Sequence, residues 1–138
     1  MIIEIIPFQE IRLQNFIYNG VEEDYATKLD VRSLAASYAK MGISFMGVVD
    51  DRLIGMGGVY QVLPGIGQAW LFVNREVQKY RGAFFREVKA HLDKIIAKME
   101  YKQVNMMCLK NSFEANNLAE HLDFKKQMDF TLYVKTGE

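Results

Sequence analysis

Four basic residues, Arg75, Lys79, Arg81 and Arg86, fall between an apolar run ending at Val73 and a long amphipathic segment that continues to about Met99. Cations at a helix start suit one kind of chemistry. With the unpaired amide N–H groups there and the positive end of the helix dipole, they bind an anion such as a phosphate. The same residues also fit a simply solvated helix start, and both readings stand on the sequence.

Groups for covalent or proton-transfer chemistry are sparse. Cys108 lies in an apolar, strand-like run and reads as a buried structural thiol. His91 projects beside Leu92 on the long helix and His121 precedes Leu122 on a short one, so both read as partly exposed surface histidines. Two histidines without a flanking ligand pattern do not build a zinc site, and no serine or cysteine triad is visible. The carboxylates Asp50, Asp51, Glu76 and Glu114 fall in turns or at helix starts, where charge is ordinarily solvated.

Composition narrows the classes further. The chain has 138 residues, half of them apolar, which is enough for one domain over residues 1–138 with a single substantial core. Seventeen basic residues balance seventeen acidic ones, so no net field recruits nucleic acid or an anionic membrane. No apolar run reaches the length of a membrane helix, and the short, acid-containing start Met1 to Pro7 does not read as a signal peptide. A lone cysteine fits a reducing compartment, so the expected location is cytoplasmic.

The elements that position these residues follow from periodicity. Ile2 to Ile6 reads as a strand, Phe8 to Tyr18 as a first helix, and about Glu22 to Met41 as a second helix with Val31, Leu34, Ala35 and Tyr38 on one face and Gly42 as its C-cap. Ile43 to Val49 and Leu53 to Val62 form a hairpin about Asp50-Asp51-Arg52, and Leu63-Pro64-Gly65 turns the chain into Gly67 to Asn74. Phe84, Val88, Leu92, Ile95 and Met99 mark the apolar stripe of the long helix. Val104 to Leu109, a short helix carrying Ala115, Leu118, Ala119 and Leu122, and two closing strands complete the order βααβββαβαββ.

That order, together with Trp70-Leu71-Phe72-Val73, the stretch Gln78-Lys79-Tyr80-Arg81-Gly82-Ala83 and the segment from Lys110 to Phe124, resembles the GNAT superfamily of N-acetyltransferases over essentially the whole chain. The resemblance implies an α/β (α+β) fold whose mixed central sheet splays open between its fourth and fifth strands. It also implies acetyl-coenzyme A as co-substrate, its pantetheine arm entering that gap. In the family a strand ending in a bulged valine precedes Gln/Arg-x-x-Gly-x-Gly/Ala at the helix start. By resemblance, Phe72 and Val73 meet the pantetheine arm, with the Val73 amide a candidate oxyanion donor. Gln78, Tyr80, Arg81, Gly82, Ala83 and Phe84 line the pyrophosphate, and Asn111 bonds the cofactor arm or caps its helix.

The match is incomplete in either register. Counting from Val73, Arg81 takes the place of the central glycine; aligning Tyr80-Arg81-Gly82 with the family's Tyr-Arg-Gly puts Phe84 and Arg86 where two glycines belong. Lys79 and Arg81 can replace part of the lost amide contact with charge. Ala119 stands where the family carries the tyrosine that protonates the departing thiolate, and Asp123 replaces the glycine before Phe124.

Two functions follow from the resemblance: an N-acetyltransferase in which an unidentified small-molecule or protein amine attacks the thioester directly, or a catalytically inert GNAT-fold module. The inert reading has a narrower likeness, to small phage proteins of the internal-virion or acetyltransferase-like kind with a degenerate phosphate loop, for which a virion-associated location is implied. A homodimer is the family's habit. Trp70, Tyr60, Phe45 and Phe72 either line an acceptor pocket or pack the sheet core, and Asp24, Tyr25, Lys28 and Asp30 either face the acceptor or are solvated.

Overall fold

The structure, a computed structural model, describes residues 3–16 and 31–106. Five strands, β1 (Ile3–Pro7), β2 (Gly42–Val49), β3 (Arg52–Leu63), β4 (Ile66–Val73) and β5 (Gln103–Met106), form one sheet in sequence order. The first three junctions are antiparallel. β4 and β5 are parallel, as the intervening crossover helix requires. Helix α1 (Val31–Met41) and helix α2 (Arg81–Met99) cover opposite faces. The mixed α/β architecture expected from the sequence is therefore present.

Two tight turns set the register. Asp50 and Asp51 take φ values of 49° and 63° between the paired residues Val49 and Arg52, the left-handed geometry of a two-residue hairpin whose twist matches the strands. Arg52 is thus the first strand residue, not part of the turn. Pro64 and Gly65, the latter at φ 77°, join β3 to β4, and the Gly65 carbonyl accepts hydrogen bonds from the amides of Lys102 (2.8 Å) and Gln103 (3.3 Å). That pair of bonds fastens β5 beside β4.

Alternation along the strands builds two cores. Phe45, Val49, Ile54, Val59 and Ala69 pack under the α2 stripe of Phe84, Val88, Leu92 and Ile95; Met46, Val48, Leu53, Met56 and Trp70 pack under α1, Leu13 and Phe16. Each fully buried side chain of this size contributes roughly 1.5–3 kcal/mol. Met99, expected in the α2 stripe, is exposed, because the helix has reached its end. The helix closes on Glu100 at φ 56°, where the Glu100 and Tyr101 amides return to Ala97 and Ile96 carbonyls at 3.2 Å.

Two expectations are corrected. The first helix is represented by a 3-10 turn, Glu10–Asn15, flanked by extended Gln9 and Phe16. Leu13 and Phe16, three residues apart, are both buried, which suits three residues per turn. Gly42 is the first residue of β2 and not a helix cap: a Cβ there would lie 2.1 Å from the Val59 carbonyl oxygen, so close strand approach explains the glycine. Expected elements over residues 17–30 and 107–138 lie outside the described residues.

Candidate active site

β5, over its described residues, pairs with Ile66 to Ala69 only. The following run of β4, Trp70 to Val73, has β3 as its one partner among the described residues, with Trp70 opposite Gly58 and Val73 opposite Gly55. This is where the sheet was expected to open. The bulge expected at Val73 is absent on the β3 side: pairing is regular from Gly55↔Val73 to Gln61↔Gly67, and the register shifts between Gln61 and Leu63 instead. Glycine opposite Val73 lets the valine pack on bare backbone without an extra residue.

Asn74 ends the strand and is buried, yet fully used. Its amide N–H donates to the Ile54 carbonyl (3.1 Å), its Nδ2 donates to the Leu53 carbonyl (3.3 Å), and its Oδ1 accepts from the Glu76 amide (3.0 Å). Asparagine suits this position because one short side chain both caps a turn and donates back to the strand. The basic segment that follows is a 3-10 turn, Arg75–Tyr80, held down by buried Val77, where the sequence suggested an open loop.

Glu76, a candidate base, is engaged. Arg52 Nε donates to its carboxylate at 3.2 Å, and the Glu76 charge raises the Arg52 pKa above its ordinary value, the Tyr80 hydroxyl adding to the effect. The pair ties the 3-10 turn to the β2–β3 hairpin.

Gln78, Lys79, Arg81, Gly82, Ala83 and Arg86 are exposed around the start of α2, with Tyr80 half-buried. The helix has no side-chain cap at Tyr80 and no acid in its first turn. Arg81 has φ −48° and ψ −55°, ordinary helical values that an L-residue takes without strain, and its guanidinium lies 5.8 Å from the Phe85 ring centroid. Around Gly82 a Cβ would meet nothing within 4 Å.

Phe84 turns its side chain into the core. Its side chain is completely buried under the sheet face, so only its backbone is available to a cofactor. Its ring occupies space left by glycine on two strands: a Cβ at Gly47 would lie 2.7 Å from Cε2, and one at Gly55 would lie 2.7 Å from Cζ. The bulk of Phe84 is therefore absorbed by the sheet, away from the exposed side of the helix start.

On the other face Trp70 and Phe72 lie together, ring centroids 5.8 Å apart, with Phe8 (6.5 Å) and Tyr38 (5.5 Å) against Trp70 and Tyr38 stacked on Tyr60 at 5.2 Å. Burial raises the Tyr60 pKa above 10.0, and Tyr38 adds to the shift. Phe45 does not join them. It faces α2, 6.0 Å from the ring of His91, which is partly exposed as expected and has its Nδ1 2.9 Å from the Glu87 carbonyl.

Asn111, Cys108, Ala119, Asp123 and Phe124, with Asp24, Tyr25, Lys28 and Asp30, lie outside the described residues. No group of three potential metal ligands occurs among the described residues, and no described helix is long and apolar enough to cross a membrane.

Solved structures share this fold along nearly their whole length. The aminoglycoside N-acetyltransferase AAC(6')-Iy in complex with CoA matches with a TM-score of 0.66 at 14% identity, over 96% of this chain and 94% of that one. A possible acetyltransferase from Clostridium difficile 630 matches with a TM-score of 0.64 at 17% identity, over 99% of this chain and 100% of that one. Glucosamine-6-phosphate N-acetyltransferase from Arabidopsis thaliana matches with a TM-score of 0.61 at 12% identity, over 98% and 100%. The fold is that of the GNAT acetyltransferases. No protein-family model and no curated protein matches the sequence, so the likeness is one of fold.

Phe72 and Val73 close β4, and Gln78, Tyr80, Arg81, Gly82 and Ala83 follow through the 3-10 turn into the exposed start of α2, while the Phe72 ring lies with Trp70 on the opposite sheet face. Sequence reasoning passed over Asn74 and Tyr38 as site-building residues and missed the Arg52–Glu76 tie. Asn74 carried a signal, an asparagine two residues before a glutamate at a strand end. The ion pair did not, since its partners are 24 residues apart.

Proposed function

We propose that the protein is an acetyl-coenzyme A dependent N-acetyltransferase of the GNAT type. The observation that carries this reading is the run Trp70–Val73 of β4, paired with β3 alone among the described residues, leading through exposed Lys79 into a helix that starts at exposed Arg81 with no side-chain cap and no acid in its first turn. Strand amides and carbonyls of this run suit the two amides of pantetheine. The helix start, with Gln78, Tyr80, Arg81, Gly82, Ala83 and the Phe84 amide, suits the pyrophosphate. Asn111 is assigned to the cofactor arm. An acceptor amine attacks the thioester carbonyl, the C–N bond forms as the C–S bond breaks, and the proton lost from nitrogen ends on the coenzyme A sulfur.

The acceptor is a small-molecule or protein amine, with no role for nucleic acid. The working location is cytoplasmic, or virion-associated if the glycine-poor loop marks a phage branch, and a homodimer is the assembly.

The test is amine-dependent release of coenzyme A thiol from acetyl-coenzyme A across a panel of primary amines. Turnover with one class of amine is expected. Cofactor binding without turnover on any amine would favour the second reading, an inert GNAT-fold binding module, for which the capture of Glu76 by Arg52 is the supporting observation.

A further inference from the structure

Arg52 opens β3 opposite Val49, directly after the left-handed pair Asp50 and Asp51, so its backbone is fixed to the sheet. From there its side chain crosses to the 3-10 turn Arg75–Tyr80. Arg52 Nε donates to the Glu76 carboxylate at 3.2 Å, and the Tyr80 hydroxyl hydrogen-bonds the same guanidinium. Glu76 is the second residue of that turn and Tyr80 its last. One planar group with several donors in a fixed fork therefore reaches both ends of the turn.

The contact with Tyr80 has a consequence for the helix. Tyr80 is the residue on which α2 begins, and it makes no side-chain cap bond there. Asn74 holds the start of the turn, buried Val77 its middle, and Arg52 reaches the residue that sets where the first helical amides point. Exposed ion pairs add little to stability. Fixing the direction of a helix start is a different task, because an anion bound there feels the alignment of each donor.

Resting on the acyltransferase reading, we infer that Arg52 is a positioning residue for the cofactor: acting through Glu76 and Tyr80, it holds the segment from Gln78 to Phe84 in the orientation that takes the pyrophosphate, without touching the phosphates itself.

Direct contact and positioning predict opposite signs at Glu76. Removing that carboxylate leaves the surroundings of Lys79 and Arg81 more positive, which strengthens phosphate binding if charge alone acts. Removing it also breaks the tie, which weakens binding if position acts.

Acetyl-coenzyme A affinity is measured by calorimetry for wild type, Arg52→Ala, Glu76→Ala and the double variant. Each single variant is expected to bind about three- to tenfold more weakly, and the double variant no more weakly than Arg52→Ala, since both changes remove one contact. S-acetylpantetheine, which keeps the thioester arm and lacks the pyrophosphate, is titrated into the same proteins at millimolar concentration and followed by amide NMR shifts. All four proteins are expected to bind it alike. Unchanged acetyl-coenzyme A affinity in Arg52→Ala, tighter binding by Glu76→Ala, additive losses in the double variant, or a parallel loss of acetylpantetheine binding would each overturn the inference. Wild type with no affinity for acetyl-coenzyme A sinks the acyltransferase reading and the inference with it; wild-type binding with unaltered variants sinks the inference alone.

Discussion

The Phe84 ring lies so close over Gly55 that a Cβ at that strand position would sit 2.7 Å from Cζ. Phe84 on the helix is matched by glycines on the facing strands, so helix and sheet keep close contact with the bulk on the helix side.

Gly55→Ala is therefore expected to destabilise the fold by about 1–3 kcal/mol, the usual cost of overpacking a filled core. Phe84→Leu alone leaves a partial cavity and is destabilising as well. Combined, the two relieve each other, so urea denaturation of the double variant gives a loss smaller than the sum. Strict additivity would contradict the contact.

Asn74→Ala removes both the cap on the Arg75–Tyr80 turn and the bond to Leu53, with an expected loss of about 1–2 kcal/mol. Asn74→Asp keeps the cap and loses the donor, so its melting temperature should fall between those of wild type and Asn74→Ala. An alanine variant as stable as wild type would show that Asn74 does not hold the turn.

Burial first, and Tyr38 second, hold the Tyr60 pKa above 10.0 in the folded protein. Because the unfolded chain then loses this proton at lower pH than the folded one, the contribution is complete below pH 10 and disappears as pH rises through the folded value. Tyr60→Phe should flatten the alkaline loss of stability above pH 10 relative to wild type. An unchanged alkaline limb would place the titration elsewhere.

Strand order, both tight turns and the α2 stripe were legible because each leaves a local pattern: alternation, Asp-Asp or Pro-Gly between apolar runs, and three-four spacing. The boundaries erred where tertiary contact decided. Gly42 looked like a helix cap because glycine commonly ends helices, yet the close approach of β3 is what requires it. Glu100 gave no warning of a left-handed cap, since glycine is the usual occupant.

In the candidate site, the exposed cations Lys79, Arg81 and Arg86 and the β4 aromatics Trp70 and Phe72 could be read from type and spacing. Phe84 could not. Its side chain belongs to the core, and only the facing Gly47 and Gly55, distant in sequence, explain how it fits. Phe45 packs the sheet core, one of the two roles the sequence allowed, but alternation shows which residues share a face and not which face meets which helix. Arg52 and Glu76 likewise meet only through the folded hairpin.

Calorimetric titration of acetyl-coenzyme A into the wild-type protein and Arg81→Glu tests the central claim most directly. The account predicts micromolar binding that the charge reversal weakens at least about tenfold, since a carboxylate would replace a cation beside the pyrophosphate. No heat and no thermal stabilisation at millimolar cofactor, or equal binding by both proteins, would contradict it.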